Sequence, residues 1–194
     1  MKEETVDRRI RRTRKVLKEC LTKLLKEKKI QEITVRELTE MADINRGTFY
    51  LHYRDVFDLM EQIEQELIDE AEEILTRYHT SDVVAKPSLL LSELFRIVRE
   101  NADIAVILVG ENGDLNFVNR LTQTLREHCL QNWLDMKCPG DPAYLGAFSA
   151  CIVSGCIGVV RYWLETGMKE TPKQMAQLSE DFIVRGLRVL EQQA

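Results

Sequence analysis

Apolar residues that return every three or four positions, in runs closed off by capping residues, constrain this chain more than any other feature. They leave room for helices and little else. Ile10, Leu17, Leu21, Leu24 and Leu25 keep helical spacing near the start, and Met175, Leu178, Phe182, Gly186 and Val189 keep it near the end. Between them, Val56, Met60, Ile63, Leu67, Ala71 and Ile74 sustain the pattern for about 23 residues, or about 34 Å of helix. No alternating strand pattern bounded by hairpin signals is visible, nor any repeat. The predicted class is all-α, with about nine helices in 194 residues, enough for one sizeable domain or two small ones sharing a core.

Charge is unevenly spread. Residues 1–54 hold 15 Lys or Arg against 9 Asp or Glu, whereas residues 55–194 hold 12 against 23. A basic head suits an anionic partner and an acidic body repels it, although a solvated charged helix face has the same composition.

The punctuation is densest in the basic part. Thr34-Val-Arg-Glu37 has the form of a capping box and predicts a short helix to about Ala42. Asp43-Ile44-Asn45 interrupts it, since Asp tolerates left-handed backbone and Asn45 is a good cap for a third helix, about Arg46 to Tyr53. Asp55 caps the long helix that follows, a strut between head and body. A polar linker from His79 to Ser88 comes next. Later helices start near Pro87, Asp103, Asp114, Asp141-Pro142 and Thr171-Pro172, with stops at Gly113 and Gly167.

Helix, three-residue turn and helix over residues 34–54, inside a basic segment behind an amphipathic helix, form a helix-turn-helix. Its second helix can enter the major groove of DNA while the first crosses the backbone. Phe49 and Tyr53 share the face that packs on Leu38. Gly47, Tyr50, Leu51 and Arg54 point away, with Arg46, Thr48 and His52 at the flanks. That outward mixture of cation, hydroxyls and aromatic ring suits phosphates and base edges.

Thr34-Val-Arg-Glu-Leu38, Ala42-Asp-Ile-Asn-Arg-Gly-Thr-Phe-Tyr50 and His52-Tyr53 closely resemble the N-terminal signature of the TetR family of bacterial transcriptional regulators, over about residues 9–60. Trp163-Leu-Glu-Thr-Gly167 and the final capped helix resemble the branch that includes the dihydroxyacetone kinase regulator. The resemblance implies a homodimer whose heads bind a palindromic double-stranded DNA operator, and a body that binds a small-molecule effector. It also implies phosphate contacts from Thr34, Tyr50 and His52 and a base-edge contact from Arg36. Arg46, Thr48 and Leu51 match positions that vary with the operator. Two departures stand out: Asp43 where the family usually has Gly, and Val56 where it commonly has a phosphate-binding Lys, a role left to Arg54. Thr34 serves equally as a cap alone, and His52 as a packed core residue.

The body has no comparable signature. Phe95, Phe117, Trp133 and Tyr162 are candidates for an effector cavity, or plain core. Gly146, Ala150, Ser154 and Gly158 recur every four residues along helix 141–166 and make a smooth row that lets another helix approach closely. With Phe182 and Gly186 of the last helix, they are assigned to an interface between two subunits; packing within one subunit is the alternative. Five cysteines without a CxxC pair (Cys20, Cys129, Cys138, Cys151, Cys156) and three scattered histidines (His52, His79, His128) suggest neither a disulfide framework nor a metal site. No cofactor is expected. The start lacks a secretory h-region, and the longest nearly apolar stretch, Ala147 to Val160, is shorter than a bilayer requires. The sequence therefore reads as a cytoplasmic, dimeric DNA-binding regulator with no membrane partner, residues 1–54 as reader and 55–194 as effector-binding and dimerisation domain. Repression relieved by a ligand is the favoured mechanism. Its rivals are a helical enzyme, for which no catalytic constellation is visible, and a binding module whose head no longer reads DNA.

Overall fold

The computed structural model of the chain describes residues 2–78, 86–110, 113–135 and 142–191. Much of the linker expected from His79, the Asp141 cap and Cys138 lie outside the described residues, as do the side chains of Trp133 and Val189. The described residues form nine α-helices and no strand: α1 (Lys2–Leu25), α2 (Val35–Met41), α3 (Arg46–Tyr50), α4 (Val56–Arg77), α5 (Pro87–Glu100), α6 (Ala102–Val109), α7 (Leu115–Asp135), α8 (Pro142–Glu165) and α9 (Pro172–Glu191). A 3-10 turn at Ile30–Glu32 precedes α2.

Packing divides the chain into two compact units, 1–67 and 68–194, with the division falling inside α4. In the first, the α1 stripe is buried as its spacing demands: Leu17 and Leu21 are inaccessible to solvent, as are Leu38 of α2 and Phe49 of α3. Side chains of this kind contribute about 1.5–3 kcal/mol each when removed from water. Helix α3 ends three residues sooner than its sequence suggests. The His52 N–H bonds to the Phe49 carbonyl at 2.9 Å, a tight i−3 bond that closes the last turn before Tyr53.

The second unit is centred on Trp163, which is fully buried among Leu91, Phe95, Met175, Ala176 and Ile183. Its indole N–H donates to the Glu170 carbonyl at 3.1 Å, and Phe95 meets it edge-on with ring centres 5.5 Å apart. The stop at Gly167 is a left-handed one, φ 81° there and 51° at Met168. Thr171 and Gln174 then cap α9 reciprocally: the Gln174 N–H donates to the Thr171 hydroxyl, and the Thr171 N–H to the Gln174 side-chain oxygen at 2.8 Å.

Helix α8 is apolar on both sides. Leu145, Ser149, Val153, Trp163 and Leu164 are buried, while Tyr144, Ala147, Cys151, Ser154, Gly155, Gly158 and Tyr162 are exposed along the opposite face. Tyr144–Glu165 contains an 18-residue window with a mean hydropathy of 1.6 and, by length and composition, could cross a membrane. Its helix therefore runs beyond the apolar run counted from the sequence. Two apolar faces, one on the core and one outward, account for that composition.

Candidate nucleic-acid interface

The reading unit is assembled by local hydrogen bonds. The Thr34 hydroxyl accepts from the Glu37 N–H at 3.2 Å and starts α2. Only this half of the expected capping box forms. The Glu37 carboxylate pairs with the Lys28 ammonium instead, tying the chain before α2 to its first turn. After α2 the backbone turns through Asp43, at φ 51°, and the Ile44 N–H returns to the Thr39 carbonyl at 3.0 Å. Asp therefore adopts the left-handed geometry that a Gly at this position would adopt without strain. Asn45 then caps α3, its side-chain oxygen accepting from the Gly47 N–H at 2.7 Å. A Cβ on residue 47 would lie 3.2 Å from that oxygen, so the bare glycine keeps the cap tight.

This geometry sets the two faces of α3. Phe49 and Tyr53 are buried with ring centres 5.5 Å apart. Tyr50 stands edge-on to Phe49 at 5.6 Å and is 58% exposed. Leu51 is 79% exposed, an apolar tip suited to a thymine methyl. Arg46, Gly47 and Arg54 are exposed beside them, while Thr48 and His52 are half-buried. His52 lies against Tyr53 with ring centres 6.1 Å apart. Thr34 and Arg36 are exposed on α2, where the Arg36 guanidinium donates to Glu40 at 2.8 Å.

Val56 is buried, so the first residue of α4 offers nothing to a phosphate. The exposed cation at this end is Arg54. Its N–H and guanidinium both donate to the Asp58 carboxylate, at 2.8 and 3.0 Å, while Asp55 accepts from the Asp58 N–H at 2.8 Å. The Arg54 N–H first, and then its guanidinium, hold the Asp58 carboxyl below its ordinary value. This clamp was not anticipated from the sequence, although two acids three apart at a helix start are its signal.

The body residues are dispersed. Phe95 and Phe117 are buried and Tyr162 is exposed. None of the three lines the open groove of about 300 Å³ between α8 and α9, whose walls include Cys151, Gly155, Cys156, Val159, Ser179 and Phe182. In the small-residue row, Ser154 and Gly158 are exposed and Gly146 and Ala150 half-buried. Phe182 is 63% exposed. Gly186 faces inward within the chain: a Cβ there would fall 2.6 Å from the Phe148 ring. Burial raises the Cys129 thiol to about 12 and Cys156 to about 11, which keeps both protonated at neutral pH. Among the described residues no group of three or more His, Cys, Asp or Glu is placed to hold a metal ion.

Residues 86–185 match the TetR-type family described as the transcriptional regulator C-terminal region. Independently, 51 residues, 26% of this chain and 13% of the relative, are 41% identical to an uncharacterized HTH-type transcriptional regulator, YxbF, of Bacillus subtilis (strain 168). The fold is similar to two solved regulators. The dihydroxyacetone kinase operon activator DhaS superposes with TM-score 0.63 at 14% identity over 92% of this chain and 97% of its own. NalD, the secondary repressor of the MexAB-OprM multidrug efflux pump in Pseudomonas aeruginosa, gives 0.67 at 20% over 91% and 97%. At these identities the structures speak to the fold.

Proposed function

Because the chain belongs to the TetR family of transcriptional regulators, we propose that it is a cytoplasmic homodimeric repressor that binds a palindromic operator and is released from it by a small-molecule effector. The observation that carries the DNA reading is the two-faced α3. Phe49 and Tyr53 anchor it inward, and Arg46, Tyr50, Leu51 and Arg54 stand outward with Thr34, Arg36, Gly47, Thr48 and His52 around them. In this reading Tyr50, Thr34, His52 and Arg54 hold phosphates while Arg46, Arg36, Thr48 and Leu51 meet bases. Residues 1–54 are the reader and 55–194 the effector-binding and dimerisation part.

The dimer reading rests on the exposed face of α8 and α9, where Tyr144, Tyr162, Leu178 and Phe182 lie beside the glycines. Apolar area of this kind is characteristic of an interface between subunits. Repression is preferred to activation on mechanism: an occupied operator needs no further contact to block transcription. An effector reaching Phe95, Phe117, Trp133 or Tyr162 must bind the DNA-incompetent arrangement more tightly, since equal affinity for both shifts nothing.

Titrating duplex DNA with the purified chain at rising salt tests the reading. A transcriptional regulator gives a log K that falls linearly with log salt, because each neutralised phosphate releases counterions. An absence of binding, or a flat salt response, would contradict it and favour a module whose head does not read DNA.

A further inference from the structure

The outer face of α9 carries two charges that the described residues leave unmatched. Asp181 and Arg185 are exposed on either side of the exposed Phe182, and among the described residues neither makes a hydrogen bond or an ion pair. They stand four residues apart, the spacing at which opposite charges on a helix commonly pair. Elsewhere on this surface such pairs do close, Arg36 with Glu40 and Arg96 with Glu100. Beside these charges Cys151, Gly155 and Phe182 line one groove, so the outer faces of α8 and α9 form a continuous surface.

That surface is self-complementary when turned end for end. The exposed residues of α8 run Tyr144, Ala147, Cys151, Ser154, Gly158, Tyr162, large at both ends and small between, mirrored about a point between Ile152 and Val153. Turned upon itself, the face sets Tyr144 opposite Tyr162, Ala147 opposite Gly158 and Cys151 opposite Ser154, as a two-fold contact requires. Helix α9 fixes the same axis independently. Phe148 faces Gly186 and Cys156 meets the Ser179 side chain, so the two helices run antiparallel and the mirror point of α8 stands level with Phe182. Asp181 and Arg185 are mirrored about Ile183, one residue or about 1.5 Å from that level. A two-fold axis there sets the carboxylate of each copy level with the guanidinium of the other.

Resting on the homodimer reading, we propose that Asp181 and Arg185 are the residues that select the partner and its register. Each Asp181 carboxylate accepts from the Arg185 guanidinium of a second copy of this chain, and Cys151 lies opposite Ser154 of that copy. The apolar faces supply affinity without direction. The charges supply the choice, because a slipped register or a foreign helix in place of α9 sets like charges together or leaves one unpaired.

Sedimentation of the full chain with two charge reversals tests the pairing. Asp181→Arg leaves two cations on this face of α9, and Arg185→Asp leaves two carboxylates. Each variant alone should associate about tenfold more weakly than wild type. An equal mixture of the two should regain the wild-type affinity as a heterodimer, since every pair across the axis is then of opposite sign. Pairing within one helix predicts no such rescue. Oxidising Ser154→Cys should link it to Cys151 of the other copy, and adding Cys151→Ser should abolish the link. Gly158→Cys should give none, because in this register it lies beyond the Cα separation of about 7 Å that a disulfide spans. Circular dichroism confirms that each variant is folded. A mixture no better than its components, or a link from Gly158→Cys in place of Ser154→Cys, would overturn the proposal and leave the homodimer standing. A monomeric wild type would overturn the homodimer reading, and the proposal with it.

Discussion

The outward faces of α3 and α8 are built on opposite logic. On α3 the exposed side chains are donors and long tips, Arg46, Tyr50, Leu51 and Arg54, standing over a buried Phe49 and Tyr53. The surface around them is finished by local hydrogen bonds: Asn45 to Gly47, Thr34 to Glu37, Arg54 to Asp58. On α8 the exposed face is Ala147, Cys151, Ser154, Gly155 and Gly158 between two tyrosines, and it has almost nothing with which to hold water. A polar surface that is complete by itself can wait for a polyanion. A small apolar one is complete only against another such surface, and this difference underlies the proposal of DNA for the first and a second copy of the chain for the other.

Putting a charge on the apolar face is the hardest test of that contrast. A Cβ on Gly158 meets no atom of its own chain within 4 Å, so Gly158→Arg leaves the subunit fold intact. In a dimer it buries an unpaired cation at a cost of about 3–5 kcal/mol. Sedimentation should show a monomer with undiminished helical circular dichroism, and a persistent dimer would move the interface elsewhere.

On the polar face the losses are smaller and of two kinds. Arg46→Ala should relax preference by about 1–3 kcal/mol at one base position per half-site, whereas Tyr50→Ala should weaken all sequences alike. Competition binding against single-base operator variants separates these. Identical profiles for the two mutants would remove the distinction between base and phosphate contacts on α3.

Gly186 sharpens the comparison from inside the body. Its neighbour is Phe148 of its own chain, so Gly186→Ala overpacks the α8–α9 contact by about 1–3 kcal/mol, offset in part by about 1 kcal/mol of helix propensity. Urea unfolding should show a less stable protein whose subunits still associate. Unchanged stability with weakened association would place Gly186 at the interface instead.

What the sequence made legible follows the same divide. Thr34, Asp43 and Asn45 act on backbone two or three residues away, so residue type and order reveal them, and the two faces of α3 follow from its period. The Glu37 carboxylate goes to Lys28, nine positions back, and Gly186 meets Phe148 across 38 positions of sequence. No local pattern encodes either choice. The burial of Val56 and the Arg54–Asp58 clamp are intermediate, since the acids were visible and their target was not. For the effector candidates no sequence pattern separates the two roles. Aromatic residues at helical spacing mark core as readily as cavity, and Phe95 is committed to Trp163.

The smallest effect concerns that clamp. The Asp58 carboxyl is held below its ordinary value, so its contribution is present above about pH 4 and disappears as pH falls through the lowered folded value. Wild type and Asp58→Asn should differ in melting temperature at pH 6, and the gap should close as the pH falls through the lowered folded value. A constant gap across that range would mean that the carboxylate charge is not what ties Arg54.

The most direct measurement is selection of bound sites from random duplex DNA with the purified full chain. Two reading heads joined through an α8–α9 interface should recover an inverted repeat, its half-sites about 34–36 Å or another groove-matched spacing apart. Recovery of no enriched sequence, or of one half-site bound as tightly alone as in a pair, would contradict the assignment of one face to DNA and the other to a second subunit.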